Sequence, residues 1–541
     1  MRPEGPIDSR TMIVAPFPSA DDVVKGHPMT GSVGWELDKM LKEAGINPAN
    51  CFITHVSNER PAGGDISNFI AFKKTEITVN HVQVADKWVL PSMKAELERL
   101  AKEIELVKPN IILALGDLPL WALTGKWSIA KWRGSQMRSE TGVRVLPMYH
   151  PSVVHRQYDL RPILVQDFRV ARHYTFQDWP VVDWKFQTRP SFSVAVERLE
   201  WLIQQCELCP TLLSVDIETR AYHTACLGIA WNKTEAICIP FMELGKGDYW
   251  TESEEAEIAY LLYKLLTHPN AQVVGQNFIY DAQYIVRAWH YVPNFVGDTM
   301  LIHHVLFPAM QKSLDFICSM HNAQYVFWKD DGKTLSADHD EDKHWRYNCE
   351  DCVRTFEAYE NLQICVDKMD LRYACDFQMS LFKPVLSMMV MGVKVDRTYQ
   401  LELVKKLEKL SEEVLAEIEY VVGYPLNPRS PVQMKNLFYE ELKQLKQLKR
   451  TPTGMSVSCD SACLEKVVTR EPLLKGLVQH IEDWRSIQVF LSTFLTDKRD
   501  KDGRMRCSYN IGGTYTFRFS SSENPFGSGL NMQNIPGEDK G

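Results

Sequence analysis

The run "LLSVDIETR" (212–220) carries an apolar, strand-like stretch into two acids, Asp216 and Glu218, with one residue between them. On a strand, residues i and i+2 share a face, so the two carboxylates point together. Side by side they repel each other unless a cation lies between them. A pair of Mg²⁺ ions about 4 Å apart is the usual reason to build such a site. More residues of the same chemistry follow: Asn277 and Asp281 in "VGQNFIYD", Asp298 in "DTM", Tyr347 and Asp351 in "YNCEDC". Tyr347 and Asp351 are four apart in a helical pattern and share one helix face. Any one of these acids alone reads as a surface carboxylate or a helix cap. Three motifs in order read as one metal-dependent centre.

The elements that must position them follow from hydrophobic periodicity. Residues 179–375 give strands ("LLSVDIE", "ACLGIAW", "EAICIPF", "AQVVGQN") followed by helices. Residues 1–178 alternate strands ("TMIVAP", "CFITHV", "IILALG", "VRVLPMYHPS") with amphipathic helices ("VGWELDKMLKEAG", "MKAELERLAKEIELVK"), an α/β pattern with a mostly parallel sheet. "QDWPVVDWKFQTRPS" has Pro and Trp without a period and reads as a linker. Residues 376–541 are mainly helical, led by "LELVKKLEKLSEEVLAEIEYVV", and turn to Gly, Ser, Asn and Thr after about 500.

Composition narrows the function classes. The chain has 541 residues, 45% hydrophobic and 24% charged, an ordinary globular balance that suggests roughly three or four domains. A net charge of −8 supplies no global field toward nucleic acid, so any such contact must be a local basic patch. Thirteen scattered cysteines read as reduced thiols in a cytoplasmic protein. No apolar run is long enough to span a bilayer, the start lacks a signal-peptide core, and no internal repeat or low-complexity tail is present. Cys206-x-x-Cys209 and Cys349-x-x-Cys352 have zinc-ligand spacing, but on the helix of Tyr347 and Asp351 the latter pair turns the other way, as buried small hydrophobes do; zinc is not expected. "GKGDYW" lacks the spacing of a phosphate loop.

The D-x-E, N-x-x-x-D and Y-x-x-x-D motifs of 179–375 resemble the DEDDy 3′→5′ exonuclease family, the proofreading domain of A-family DNA polymerases. The resemblance implies a ribonuclease-H-like fold. It implies two Mg²⁺ or Mn²⁺ ions on Asp216, Glu218, Asp281 and Asp351, a water-orienting Tyr347, and support from Asn277 and Asp298.

Residues 376–541 resemble the thumb and first palm segment of A-family polymerases, through "MMVMGVKVD", "LNPRSPVQMKNLFYEEL", "KRTPTGMSVSCD" and "SYNIGGTYTFRFSSSENP…LNMQNIP", with Phe517 where glycine is usual. Arg518, Gln533 and Asn534 would then lie near primer-template. Lys443, Lys446, Lys449 and Arg450, beside a Leu442/Leu445/Leu448 stripe, form a basic cluster suited to backbone phosphates, as do Lys498, Arg499, Lys501, Arg504 and Arg506 around an Asp-Gly turn. A solvated face is the plain alternative for either cluster. The palm carboxylates and fingers helix of the family do not occur up to Gly541, so the expectation is a chain that does not polymerise alone and is completed by a second polypeptide supplying palm and fingers.

Residues 1–178 resemble the uracil-DNA glycosylase superfamily, especially its family-four branch, through "IVAPFPSADDVVKGHPMTGSVGWELDKMLKEAGI", "CFITHVSNERP", "IILALGDLPLWALTG", "KWRG" and "PMYHPSVVHR". Such domains also precede some bacteriophage A-family polymerases, which implies a phage replication protein working in the host cytoplasm. The pocket departs from the pattern. Pro16 stands where the water-activating acid belongs, Met29 replaces the aromatic that stacks on uracil, and His55 replaces the base-reading Asn. His150 is retained, and Asp21 or Asp22 could substitute as the base. Cys51 is the only cysteine before Cys206, so no iron–sulfur cluster is expected. Base excision needs a flipped base, a stacking wall and an activated water, so this domain reads as a non-catalytic DNA-binding or scaffolding module.

The expected function is metal-dependent removal of nucleotides from a DNA 3′ end. The rivals are a uracil-DNA glycosylase and a catalytically silent DNA-binding subunit.

Overall fold

The computed structural model describes residues 1–330, 340–451, 454–496 and 498–535, with the backbone path alone at 450, 451 and 454. Two compact units divide the chain: residues 1–382 with 511–518, and residues 383–510 with 519–541.

The first unit holds two larger sheets among its described residues. The first contains β1 (Thr11–Ala15), β2 (Cys51–His55), β3 (Ile111–Leu115), β4 (Met137–Arg138) and β5 (Arg144–Met148), in the order β2-β1-β3-β5-β4. All its pairings are parallel except β4 with β5. β1 and β3 are buried along their whole length because both faces of the sheet are covered there. Ile13, Leu113 and Leu146 pack toward α1 (Gly31–Glu43) and α3 (Arg161–Tyr174). Met12, Val14 and Ile112 pack toward α2 (Pro91–Val107).

The second sheet is mixed: β6 (Lys185–Gln187), β7 (Thr211–Arg220), β8 (His223–Ala230), β9 (Glu235–Pro240), β10 (Ala271–Gly275) and β11 (Phe295–Asp298), in the order β11-β10-β7-β8-β9-β6. β7, β8 and β9 pair antiparallel, and β7–β10, β10–β11 and β9–β6 pair parallel. The stretch expected to be a linker is therefore partly ordered: Lys185–Gln187 add an edge strand beside Glu235–Ile237. Edge pairing needs no hydrophobic alternation, so the absence of a period hid it. Helices α4 (Phe192–Leu208) and α5 (Glu252–Leu266) pack on each other. The long α8 (Glu341–Lys368) lies across β7, β8 and β9. Gly228 permits that approach, since a Cβ there would lie 2.4 Å from Asn348 Oδ1 and 2.7 Å from Cys352 Sγ.

The second unit is built around α9 (Arg397–Val422) and α10 (Lys475–Val489), with Ile418, Phe438, Leu464, Ile481 and Trp484 in its core. The Leu442/Leu445/Leu448 stripe is not a helix face. Residues 443–447 are irregular, and Leu448–Thr451 pairs with Gly454–Val457 as a hairpin.

Candidate metal centre and its surroundings

β7 delivers Asp216 and Glu218 on one face, with Ile217 buried between them on the other. α8 brings Asp351 against that face. Carboxylate oxygens of Asp216, Glu218 and Asp351 all lie within 4.8 Å of one another. Asp281, in the first turn of α6 (Ile279–Trp289), is tied to the same strand: its Oδ1 accepts the Ile217 N–H at 2.9 Å. Three of the four acids expected from the motifs converge, and the fourth, Asp281, is held to the strand that carries two of them. Burial, then the neighbouring Asp351, pushes Asp216 up to about 7. Burial, then Asp216, holds Glu218 and Asp281 well above the usual carboxylate range. Acids crowded at this cost, all with oxygen donors, are the donor set that a hard divalent cation takes.

The supporting residues have structural roles that can be read directly. Asp298 is buried and accepts from four backbone N–H groups: Asn277 (3.1 Å), Phe278 (2.7 Å), Met300 (2.8 Å) and Leu301 (3.2 Å). It thus caps α7 (Thr299–Leu306) and fixes the turn that launches the helix of Asp281. Asn277 sits in that turn at φ 54°, in the left-handed region that asparagine tolerates.

Three neighbours escaped the motif reading. Asn348 donates from Nδ2 to Asp216 Oδ2 (2.9 Å) and to Asp216 O (3.1 Å), and is fully buried. Trp328 donates from Nε1 to Asp351 Oδ1 at 2.6 Å. Lys329 Nζ donates to Asp351 Oδ2 at 2.5 Å and to the Tyr347 hydroxyl at 3.0 Å. Asn348 lies inside "YNCEDC", three residues before Asp351, so its helix face was available as a signal. "FWKD" carries no pattern that would have singled out Trp328 and Lys329. Burial, then Asp351, raises the Tyr347 phenol above its ordinary range. At the strand's end Arg220 pairs with Glu341 Oε1 at 2.6 Å, locking β7 to the start of α8.

No cysteine belongs to the described cluster of converging acids. Cys349 and Cys352 pack with Cys226, Cys238, Trp345 and Val353 in the core between α8 and the sheet.

In the first sheet's region, Gly116 brings two of the expected pocket residues together: a Cβ there would lie 3.7 Å from His150 Cβ and 3.9 Å from Pro16 Cγ. His55 ends β2, 1% exposed, with neither ring nitrogen partnered among the described residues. Burial pulls both His55 and His150 down to about 4, so both are neutral near pH 7. His150 Nδ1 meets Ser152 Oγ at 2.8 Å. Met29 stands at φ 51° and packs on the core of the first sheet. Asp22 is committed elsewhere: it accepts from Ser19 N (2.7 Å), Thr30 N (2.6 Å) and Thr30 Oγ1 (2.8 Å).

The expected DNA contacts are exposed or half-buried, and several are ion-paired. Lys446 meets Glu440 at 2.8 Å and Lys449 meets Asp460 at 2.6 Å. Lys443 is exposed, and the side chain of Arg450 lies outside the described residues. Lys498 pairs with Glu523, and Arg506 with Asp500 (2.6 Å) and Asp502 (2.7 Å). Gln533 and Asn534 are exposed on a short 3₁₀ turn, Met532–Asn534. Arg518 is exposed and ends the segment 511–518. Within that segment Phe517 stands at φ 61°, its ring 4.4 Å from that of His304 on α7, while His304 Nε2 meets Thr514 O at 2.8 Å.

Comparison with known proteins divides the chain in three. Residues 2–171 match the family model described as uracil DNA glycosylase superfamily. Residues 194–367 match that of 3′-5′ exonuclease, and residues 397–541 that of DNA polymerase family A. Type-4 uracil-DNA glycosylase of Thermotoga maritima is 28% identical over 175 residues, 32% of this chain and 80% of that protein. DNA polymerase I of Borreliella burgdorferi is 25% identical over 346 residues, 61% of this chain and 36% of the relative. The DNA polymerase of Bacillus phage SP01 is 23% identical over 329 residues, 56% of this chain. The match covers only 33% of that polymerase's own length. No described helix is long and apolar enough to cross a membrane.

Proposed function

We propose that this chain is the exonuclease-bearing part of a family A DNA polymerase and removes nucleotides from DNA 3′ ends in a divalent-metal reaction. One observation carries the reading. In the segment that matches the exonuclease family, the oxygens of Asp216, Glu218 and Asp351 converge within 4.8 Å, with Asp281 tied to the same strand. Held by these four acids, a pair of Mg²⁺ or Mn²⁺ ions supplies charge neutralisation at the scissile phosphate and a more acidic attacking water. The chain's own groups do the rest. Asn348 fixes the Asp216 carboxylate, Asp298 holds the turn before Asp281, and Tyr347 presents its hydroxyl beside Asp351 to orient the water. No protein nucleophile is required.

In the same proposal the three regions are 1–178, 179–375 and 376–541. The last grips primer-template through Arg518, Gln533, Asn534 and the exposed lysines. The first is a non-catalytic DNA-binding or scaffolding module. Pro16 offers no base, Asp22 has its oxygens engaged, and Met29 offers no ring to stack on a base. A phage replication role in the bacterial cytoplasm is part of the same proposal, since a glycosylase-like region beside a family A polymerase region is joined here to similarity with a phage DNA polymerase as well as with bacterial ones.

The test is digestion of 3′-labelled DNA by the whole chain and by Asp216→Ala, with Mg²⁺ and with EDTA. Wild-type digestion that vanishes in the variant and in EDTA is expected. Equal digestion by both proteins, or none by wild type on any 3′ end, overturns the assignment.

A further inference from the structure

In the first unit a strap, residues 323–330, contacts both α8 and the segment 131–136 that leads into β4. On one side it meets the candidate metal centre: Trp328 and Lys329 together engage both oxygens of Asp351, and Lys329 also engages Tyr347. Arg354, one turn further along α8, supports it from beneath, with its guanidinium 4.0 Å from the Trp328 ring and its nitrogens facing the carbonyls of Gln324 and Val326.

On the other side the strap is held by the segment that contains "KWRG", which the glycosylase resemblance did not assign to any chemistry. Gln136 N–H donates to Tyr325 O at 2.8 Å, and Gln136 Nε2 donates to Ala323 O at 2.7 Å. Phe327 N–H donates to Ser135 Oγ at 3.1 Å, and Ser135 is fully buried. Trp132 packs on Phe327 with ring centroids 5.5 Å apart, and Lys131 pairs with Asp330. Just upstream, Arg133 bonds Ser319 Oγ and lies 5.2 Å from the Phe316 ring, while its own charge is balanced by buried Asp167 at 2.6 Å. The first-sheet contacts therefore fall at residues 323, 325, 327 and 330, bracketing the two residues that reach Asp351. The strap is thus held from two directions, by Arg354 and Glu357 of α8 and by residues 131–136.

We propose that the glycosylase-like region is a working part of the exonuclease: through Trp132, Ser135 and Gln136 it positions the strap, and with it an internal cation, Lys329, that competes with metal at Asp351. An ammonium 2.5 Å from a ligand oxygen repels a divalent ion bound at the same carboxylate and weakens its hold there. The anchorage of the strap thus sets how readily the centre loads. Trp132, Ser135 and Gln136 are positioning residues, since none touches the acids. The inference rests on the exonuclease reading and deepens it.

The experiment measures Mn²⁺ binding to the intact chain by electron paramagnetic resonance, beside amide hydrogen exchange over 323–330. Asp216→Ala serves as control. Lys329→Met should tighten Mn²⁺ by at least about tenfold, since the loss of even a well-screened charge–charge repulsion is worth that factor. Trp132→Ala/Ser135→Ala should speed exchange across the strap and move Mn²⁺ affinity in the same direction. Should the double variant fail to fold, Gln136→Ala gives the same reading with a smaller perturbation. Faster strap exchange with wild-type Mn²⁺ affinity overturns the positioning role, and an unchanged Lys329→Met overturns the competing cation. If Asp216→Ala binds Mn²⁺ as tightly as wild type, the metal centre itself is misassigned, a failure separate from either.

Discussion

Midway along β7, Asp216 is pushed up to about 7 by burial and by Asp351, so the metal-free fold holds a proton there that an unfolded chain releases near pH 4. A carboxyl raised in the fold favours folding below its unfolded value, and that contribution is lost as pH climbs toward about 7. Glu218 and Asp281 are raised in the same direction and add to the loss. Melting of EDTA-treated protein should therefore occur at lower temperature at pH 8 than at pH 6. Mn²⁺ should restore more stability at pH 8, because fewer protons must leave. Asp216→Asn removes one crowded charge, so without metal at pH 8 it should melt roughly 2–4 °C above wild type. Calorimetry at the two pH values checks both. A variant that melts lower would mean that the acids do not repel one another as placed.

The centre depends on how closely α8 lies on its sheet, and one position tests that. A methyl at Gly228 would run into Asn348 and Cys352, the first of which holds Asp216. Gly228→Ala should cost about 1–3 kcal/mol by overpacking and weaken Mn²⁺ binding, read by denaturant melts and metal titration. Asp298→Ala would orphan four backbone donors, a larger loss. Much at this scale was legible beforehand. Alternation exposed Asp216 and Glu218 around buried Ile217, and a spacing of four put Tyr347 and Asp351 on one helix face. The edge strand Lys185–Gln187 was not legible, because a single partner and a half-exposed face leave no period. Trp328 and Lys329 were hidden for another reason. Their role comes from contacts with residues from 131 to 136 and from 351 to 354, distant in sequence, and a strap without regular structure prints no pattern. Phe517 was flagged only as a misfit. At φ 61° it adopts the backbone that a glycine would favour, with the His304 ring beside it.

For the whole molecule, the two sheets of the first unit carry different chemistry in this reading: crowded acids beside one, and beside the other histidines that burial holds neutral near pH 7. DNA containing uracil should accordingly yield no free base with this chain while its 3′ ends are shortened. Release of uracil that is lost in His150→Ala would assign the first region catalysis instead. The helix α8 has one more consequence. It closes the side of the sheet where Cys226 and Cys238 lie, yet it follows them by roughly a hundred residues, about ten seconds of ribosomal elongation. Throughout that interval the nascent protein displays an uncovered oily surface bearing thiols, which is when chaperones have their opening and oxidants theirs.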